Sequence, residues 1–220
     1  MILDRDSIRD GLLEQLGREA GDLGLFEPLS DDDRREIMET LLADRKPGEG
    51  VWIFGYGSLI WNPAFHFVEQ RMVRVHGYHR AYCLWTPLGR GTPDYPGLML
   101  GLENGGSVSG VAFRIDEAIA REEVMIIFKR ELLSGAYRAR WVNAYTDDGP
   151  VRTIAFVINH AHPRYAGKLE EELIARTIAV ACGKIGSCRE YLENTVARLD
   201  ELGIPDRNMH QLLQKVRAVA

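Results

Sequence analysis

From residue 51 to residue 159 the chain reads as strand-length apolar runs broken by glycine turns, with one helical stretch in their midst. "VWIFGY" (residues 51–56) has the length and content of a buried strand, and residues 71–85 carry enough alternation and aromatic weight for one or two more. "GLMLGLE" and "VSGVAFRI" flank "NGGS", which predicts a hairpin-like turn. "RARWVNAYT" and "VRTIAFVIN" flank "DDGP", which predicts another. Helical patterns fill residues 117–133 and then the last third of the chain, at roughly 168–182, 189–202 and 206–219. Strands gathered ahead of a run of helices predict an α+β fold with a mostly antiparallel, barrel-like sheet.

Residues 1–49 have a different character. They are acidic and helix-prone, with one predicted helix at residues 6–20 and a second after Ser30. Ser30 is placed to cap that second helix, and Asp31, Asp32 and Asp33 complement the positive end of its dipole. "RKPGEG" (residues 45–50) reads as a linker. The expected organisation is an N-terminal helical arm, residues 1–49, packed on a domain at 50–220, and a length of 220 residues suits one domain plus such an arm.

Several function classes are disfavoured by the totals. The net charge is -5 and no basic stretch resembles a nucleic-acid footprint. No apolar run is long enough to span a bilayer, and "MILDRDSIRDG" lacks the apolar core of a secretion signal. Cys83, Cys182 and Cys188 are too few and too irregularly spaced for a disulfide framework or a zinc site, so free thiols in a reducing cytoplasm are expected. His160 and His162 lie two apart with no carboxylate or cysteine partners in sequence, which predicts a structured "HPRY" loop and no metal. His79 and Arg80 follow an apparent strand and are read as packing residues. "GYGS" is neither a Walker loop nor a dinucleotide fingerprint, and Ser58 is not in a nucleophile elbow. By itself the motif marks a turn whose backbone N–H groups can approach a ligand.

The helical stretch at 117–133 carries the sharper chemical clue. At 3.6 residues per turn Ala120, Val124, Ile127 and Glu131 share one face, with Phe128 beside them. Glu131 thus continues an apolar stripe at a helix C-terminus, where burial and the helix dipole both disfavour its charged form and raise its pKa. Such a carboxyl can take a proton and return it. The alternative is a solvent-facing terminal Glu, or one paired with Arg138 or Arg140. On the same wheel Glu122 points away and Glu123 lies on the flank.

Taken together, "VWIFGYGSLIWNPAF", "HGYHRAYCL", "GRGT", "SGVAFRI", "FKRELLSGAY", "HPRYAG" and "REYLENTVARLDELGI" resemble, in that order, the bacterial ChaC-type γ-glutamylcyclotransferases over about residues 51–216. The resemblance implies cleavage of glutathione to 5-oxoproline and cysteinylglycine, with no cofactor or metal and no nucleic-acid or membrane partner. It implies that Ile53, Phe54, Gly55, Tyr56, Gly57, Ser58 and Leu59 hold the γ-glutamyl group. It makes Glu131, in the Arg130-Glu131 pair before the turn at residues 135–137, the essential acid/base, and it places Tyr191 in the pocket. Cys188 stands where the family usually has Asn. Arg80, Tyr191 and the Cys188 loop are candidates for contact with the cysteinylglycine portion. A cyclotransferase of broader γ-glutamyl specificity, or the regulator of cation transport to which the family's historical name points, are the competing readings.

Overall fold

The computed structural model describes residues 3–45 and 48–219. Five strands close into a barrel: β1 (Val51–Gly55), β2 (Glu69–Thr86), β3 (Gly97–Ile115), β4 (Tyr137–Thr146) and β5 (Gly149–Ile158). The order around it is β1-β3-β2-β4-β5. Neighbours are antiparallel except at the closure, where β1 meets β5 in parallel at Ile53 and Ile154. Phe54, Phe113 and Phe156 from three of these strands are fully buried in the core.

The predicted hairpin at "NGGS" is absent. Residues 97–115 form one strand, paired along its length with β2, and the real connection between the two is the loop at 87–96. Gly105 and Gly106 have φ of 96° and 72°, and they face Gly77, with φ of 86°, across a break in the register. Two residues oppose one there. This is a bulge that bends both strands together, so the glycines turn a barrel corner and do not reverse the chain.

Among the described residues, seven helices surround the barrel. α1 (Arg5–Arg9) and α2 (Leu12–Asp22) replace the single helix expected at 6–20, because the chain breaks at Gly11 with φ of 88°. α3 (Asp31–Ala43) starts on a capping box formed by Ser30 and Asp33. Of the expected linker, Lys46 and Pro47 lie outside the described residues. α4 (Ala120–Glu131) crosses to β4 after a single 3₁₀ turn capped by Asp116. The last third holds α5 (Glu171–Val180), the small hairpin β6 (Cys182–Gly183) and β7 (Gly186–Ser187), α6 (Cys188–Glu201) and α7 (Arg207–Ala218). No helix among the described residues is long and apolar enough to cross a membrane.

The N-terminal segment is fastened mainly through α4. Ile8, Leu13 and Leu16 bury against Ile126. Arg5 Nη2 reaches Glu123 Oε1 at 2.6 Å, and Lys129 Nζ reaches Glu14 at 2.5 Å. Glu123 is only 1% exposed, although the wheel put it on a flank. Burial pushes its carboxyl up, but Arg5 and the His66 N–H outweigh that and hold it below the ordinary carboxylate range.

Candidate active site

β1 ends at the barrel rim, and the chain enters one 3₁₀ turn at Ser58–Ile60. Three elements fix this turn. From β2, Arg80 donates through Nε to the Tyr56 carbonyl at 2.6 Å, and the same guanidinium bonds the Ser109 carbonyl and Asp206. From α6, Arg198 Nε donates to the Ile60 carbonyl at 3.1 Å, and Thr195 Oγ1 accepts from the Trp61 indole at 3.1 Å. From β5, the Phe156 carbonyl accepts from the Tyr56 hydroxyl at 2.9 Å. Arg80 is therefore behind the turn and committed there, a packing role with a consequence: it sets the direction of the Tyr56 peptide.

The turn borders a cavity of about 320 Å³. Tyr56, Gly57, Ser58 and Leu59 line it, as do Glu131 and Tyr191. Ile53, Phe54 and Gly55 do not; they lie in β1, with both side chains fully buried, and support the turn from within the barrel. No backbone carbonyl among the described residues accepts the N–H groups of Gly57, Ser58 or Leu59, and the Ser58 N–H meets the Tyr191 oxygen. Gly57 is needed for space. Its φ is -130°, an ordinary value, but a Cβ there would stand 2.6 Å from the Tyr191 hydroxyl.

Glu131 ends α4 with its side chain 13% exposed. Ala120, Val124, Ile127 and Phe128 are buried along the same helix, as the wheel requires. Arg138 and Arg140 are in β4 and do not reach it; its partner is Arg130, whose Nε lies 3.2 Å from Glu131 Oε1. Burial raises the carboxyl above its ordinary value, and Arg130 opposes the rise without cancelling it. Arg130 is itself held by the Asn62 carbonyl at 2.6 Å. Tyr137 and Tyr191 complete this wall as neutral hydroxyls. Burial pushes Tyr191 up to about 12, and the Tyr137 hydroxyl donates to the Leu100 carbonyl at 2.6 Å.

The rest of the lining was not picked out from the sequence. Arg90, from the loop containing "GRGT", lies over the rings of Tyr191 and Trp61 and contacts Glu190 at 3.3 Å. Arg164, from the "HPRY" loop, also faces the cavity, and Leu3, Leu13, Leu16 and Phe26 bring the N-terminal segment into its wall. Both loops sit in stretches that drew attention as motifs, but nothing in their spacing tells which side chain turns inward. His160 and His162 go separate ways, to Glu103 at 2.9 Å and to the Ser134 carbonyl at 3.0 Å. Cys188 is fully buried, with Sγ 3.2 Å from the Arg90 carbonyl, and burial pushes the thiol up to about 11. It packs under the Arg90 loop and does not line the cavity.

The arrangement offers one proton-exchanging carboxyl, a set of backbone donors and three guanidinium groups around a space suited to a small anionic molecule. Comparison with known proteins agrees with that chemistry. The family described as ChaC-like protein matches residues 51–219. A glutathione-specific γ-glutamylcyclotransferase of Escherichia coli (strain K12) is 40% identical over 86% of this chain and 82% of its own length. A glutathione-specific γ-glutamylcyclotransferase 1 of Rattus norvegicus is 34% identical over 66% of this chain and 67% of its own. Among solved structures, a yeast γ-glutamyl cyclotransferase specific to glutathione superimposes with a TM-score of 0.72, covering 78% of this chain and 97% of that one at 21% identity, a likeness of fold.

Proposed function

The chain belongs to the ChaC-like protein family, and we propose that it is a lyase that cleaves glutathione by cyclising the γ-glutamyl group, releasing 5-oxoproline and cysteinylglycine. In this reading residues 50–220 are the catalytic domain, residues 1–49 are an arm upon it, and the protein works in the cytoplasm. The observation that carries the mechanism is the buried carboxyl of Glu131 facing the same cavity as the amide-lined turn at 56–59.

The α-amine of the γ-glutamyl group attacks its own γ-carbonyl carbon. An α-amino group of pKa about 8 is mostly protonated near neutral pH and must lose a proton first. Glu131 takes it; a carboxyl whose affinity for protons is raised is a better match for that task than an exposed one. The γ-carbonyl oxygen becomes an oxyanion, and the N–H groups of Gly57 and Leu59, which no backbone carbonyl among the described residues takes, are the donors for it or for the substrate's α-carboxylate. The bond to the cysteinyl nitrogen then breaks, and Glu131 returns the proton to that nitrogen. Water is neither consumed nor produced. Arg130 favours the ionised form of Glu131 against the effect of burial, and the cavity walls fold the flexible chain toward a ring.

The test is product analysis. Incubation of the purified protein with glutathione is expected to give equal amounts of 5-oxoproline and cysteinylglycine by mass spectrometry. Free glutamate in place of 5-oxoproline would mean hydrolysis by water and would defeat the cyclisation mechanism.

A further inference from the structure

Three arginines line the cavity, and their surroundings differ. Arg130 has Glu131 at 3.2 Å and Arg90 has Glu190 at 3.3 Å. Arg164 has no carboxylate within ion-pair distance among the described residues. Its Nε donates to the Trp85 carbonyl at 2.7 Å, its Nη1 to Ser134 Oγ at 3.0 Å, and the group lies 4.7 Å from the ring centroid of Phe26. All three partners are neutral. A guanidinium carries five N–H donors, and Nη2 makes no hydrogen bond among the described residues, so the free part of the fork remains for a ligand. Enclosure lowers the group's proton affinity to about 10, the mark of a charge taken from water without a compensating anion.

We propose that Arg164, supported by Phe26 from the N-terminal segment, binds the carboxylate at the C-terminal glycine of the substrate. The proposal rests on the reading of glutathione as substrate. At neutral pH that tripeptide has two carboxylates, one at each end. The α-carboxylate must stay with the reacting amine beside Glu131, where the charge that acts on the carboxyl is that of Arg130. Arg164 is not among the charges that act on Glu131; Tyr137 interacts with both, and Arg164 is held by Trp85, Ser134 and Phe26, which suits it to the remote end. Arginine is the residue for this task because its planar fork matches a carboxylate. Trp85 and Ser134 fix the head group before binding, so little order has to be imposed when the substrate arrives. Phe26 acts only through Arg164 and is a positioning residue, which gives the N-terminal segment a part in selecting the leaving group.

The experiment compares kcat/KM for glutathione and for its C-terminal amide, γ-glutamylcysteinylglycinamide, in wild type, Arg164→Met and Phe26→Leu, with circular dichroism to verify folding. Wild type is expected to favour glutathione by about 10- to 100-fold, the usual weight of a charged hydrogen bond. In Arg164→Met that ratio should collapse toward one, and in Phe26→Leu it should fall part-way. Loss of remote binding should appear in kcat as well as KM. A wild-type ratio near one overturns the proposal, and so does an Arg164→Met protein that loses equally on both substrates. If Arg164→Met fails to fold, the wild-type and Phe26→Leu ratios decide. Absence of 5-oxoproline from both substrates with wild type overturns the cyclotransferase reading itself, and this proposal with it.

Discussion

Gly57→Ala adds one methyl group at a crowded point of the cavity wall. The new carbon would stand 2.6 Å from the Tyr191 hydroxyl, well inside any ordinary contact. Tyr191 cannot retreat easily. It is 3% exposed, the Trp61 and Tyr82 rings meet it at 5.9 and 6.4 Å, and Arg90 covers its face at 5.4 Å. Relief therefore requires α6 to shift or the turn at 57–59 to move outward. Overpacking of this kind costs about 1–3 kcal/mol. For a chain of this size that is a Tm decrease of roughly 2–12 °C. The next contacts of the methyl, Leu100 Cδ1 and Tyr191 Cζ, are ordinary at 3.7 and 3.8 Å. The penalty should thus belong to one oxygen atom. Thermal unfolding of Gly57→Ala, Tyr191→Phe and the double variant closes a cycle that subtracts the separate effect of leaving the Ser58 N–H without the tyrosine oxygen. The expected coupling is about 1 kcal/mol or more, with the alanine nearly harmless in the phenylalanine background. An equal penalty in both backgrounds, or none in either, would refute the steric argument.

Four further outcomes are expected. Burial raises the Glu131 carboxyl above 4.5, so its contribution to stability is complete below that pH and is lost as pH rises through the raised value. Glu131→Gln should accordingly melt above wild type at about pH 8 and level with it at about pH 4; a variant that melts lower at both would show the ionised carboxyl to be stabilising. Glu123→Ala leaves Arg5 without its buried partner and should lower urea-unfolding stability by about 2–3 kcal/mol, whereas a loss under about 0.5 kcal/mol would mark the pair as solvent-screened. Native alkylation should modify Cys182 alone, since Cys188 and Cys83 are buried with thiols pushed up to about 11 and about 12; modification of Cys188 in the folded protein would contradict its position under the Arg90 loop. γ-Glutamylcysteine and γ-glutamylalanine should be poorer substrates than glutathione, because neither carries a carboxylate at the glycine position; kcat/KM values equal to that of glutathione would favour the broader γ-glutamyl specificity.

The burial of Glu131 was legible because a helix imposes its period on every residue: once Ala120, Val124 and Ile127 face the core, Glu131 follows. The cap at Ser30 and the "DDGP" turn were legible for the same reason, since both are set by neighbours within a few residues. What failed depends on distant partners. "NGGS" satisfies every local rule for a hairpin, and only the pairing of Gly105 and Gly106 with Gly77 makes it a barrel corner. Gly57 reads locally as part of a turn whose backbone can approach a ligand; the constraint on its side chain is a hydroxyl more than a hundred residues away in the chain. Ile53 and Phe54 belong to the same motif as the turn, but strand alternation and barrel closure bury them. Arg164 and Arg90 lie in loops with no period, and there the direction of a side chain is decided by what packs around it.

The central claim is that Glu131 carries the proton in cyclisation, and the most direct measurement is 5-oxoproline formation from glutathione by folded Glu131→Gln beside wild type. The amide keeps the size of the side chain and cannot accept the proton from the α-amine. A loss in kcat of about 10²–10⁴-fold is expected, with native circular dichroism retained. Near-normal turnover by a folded Glu131→Gln protein would contradict it.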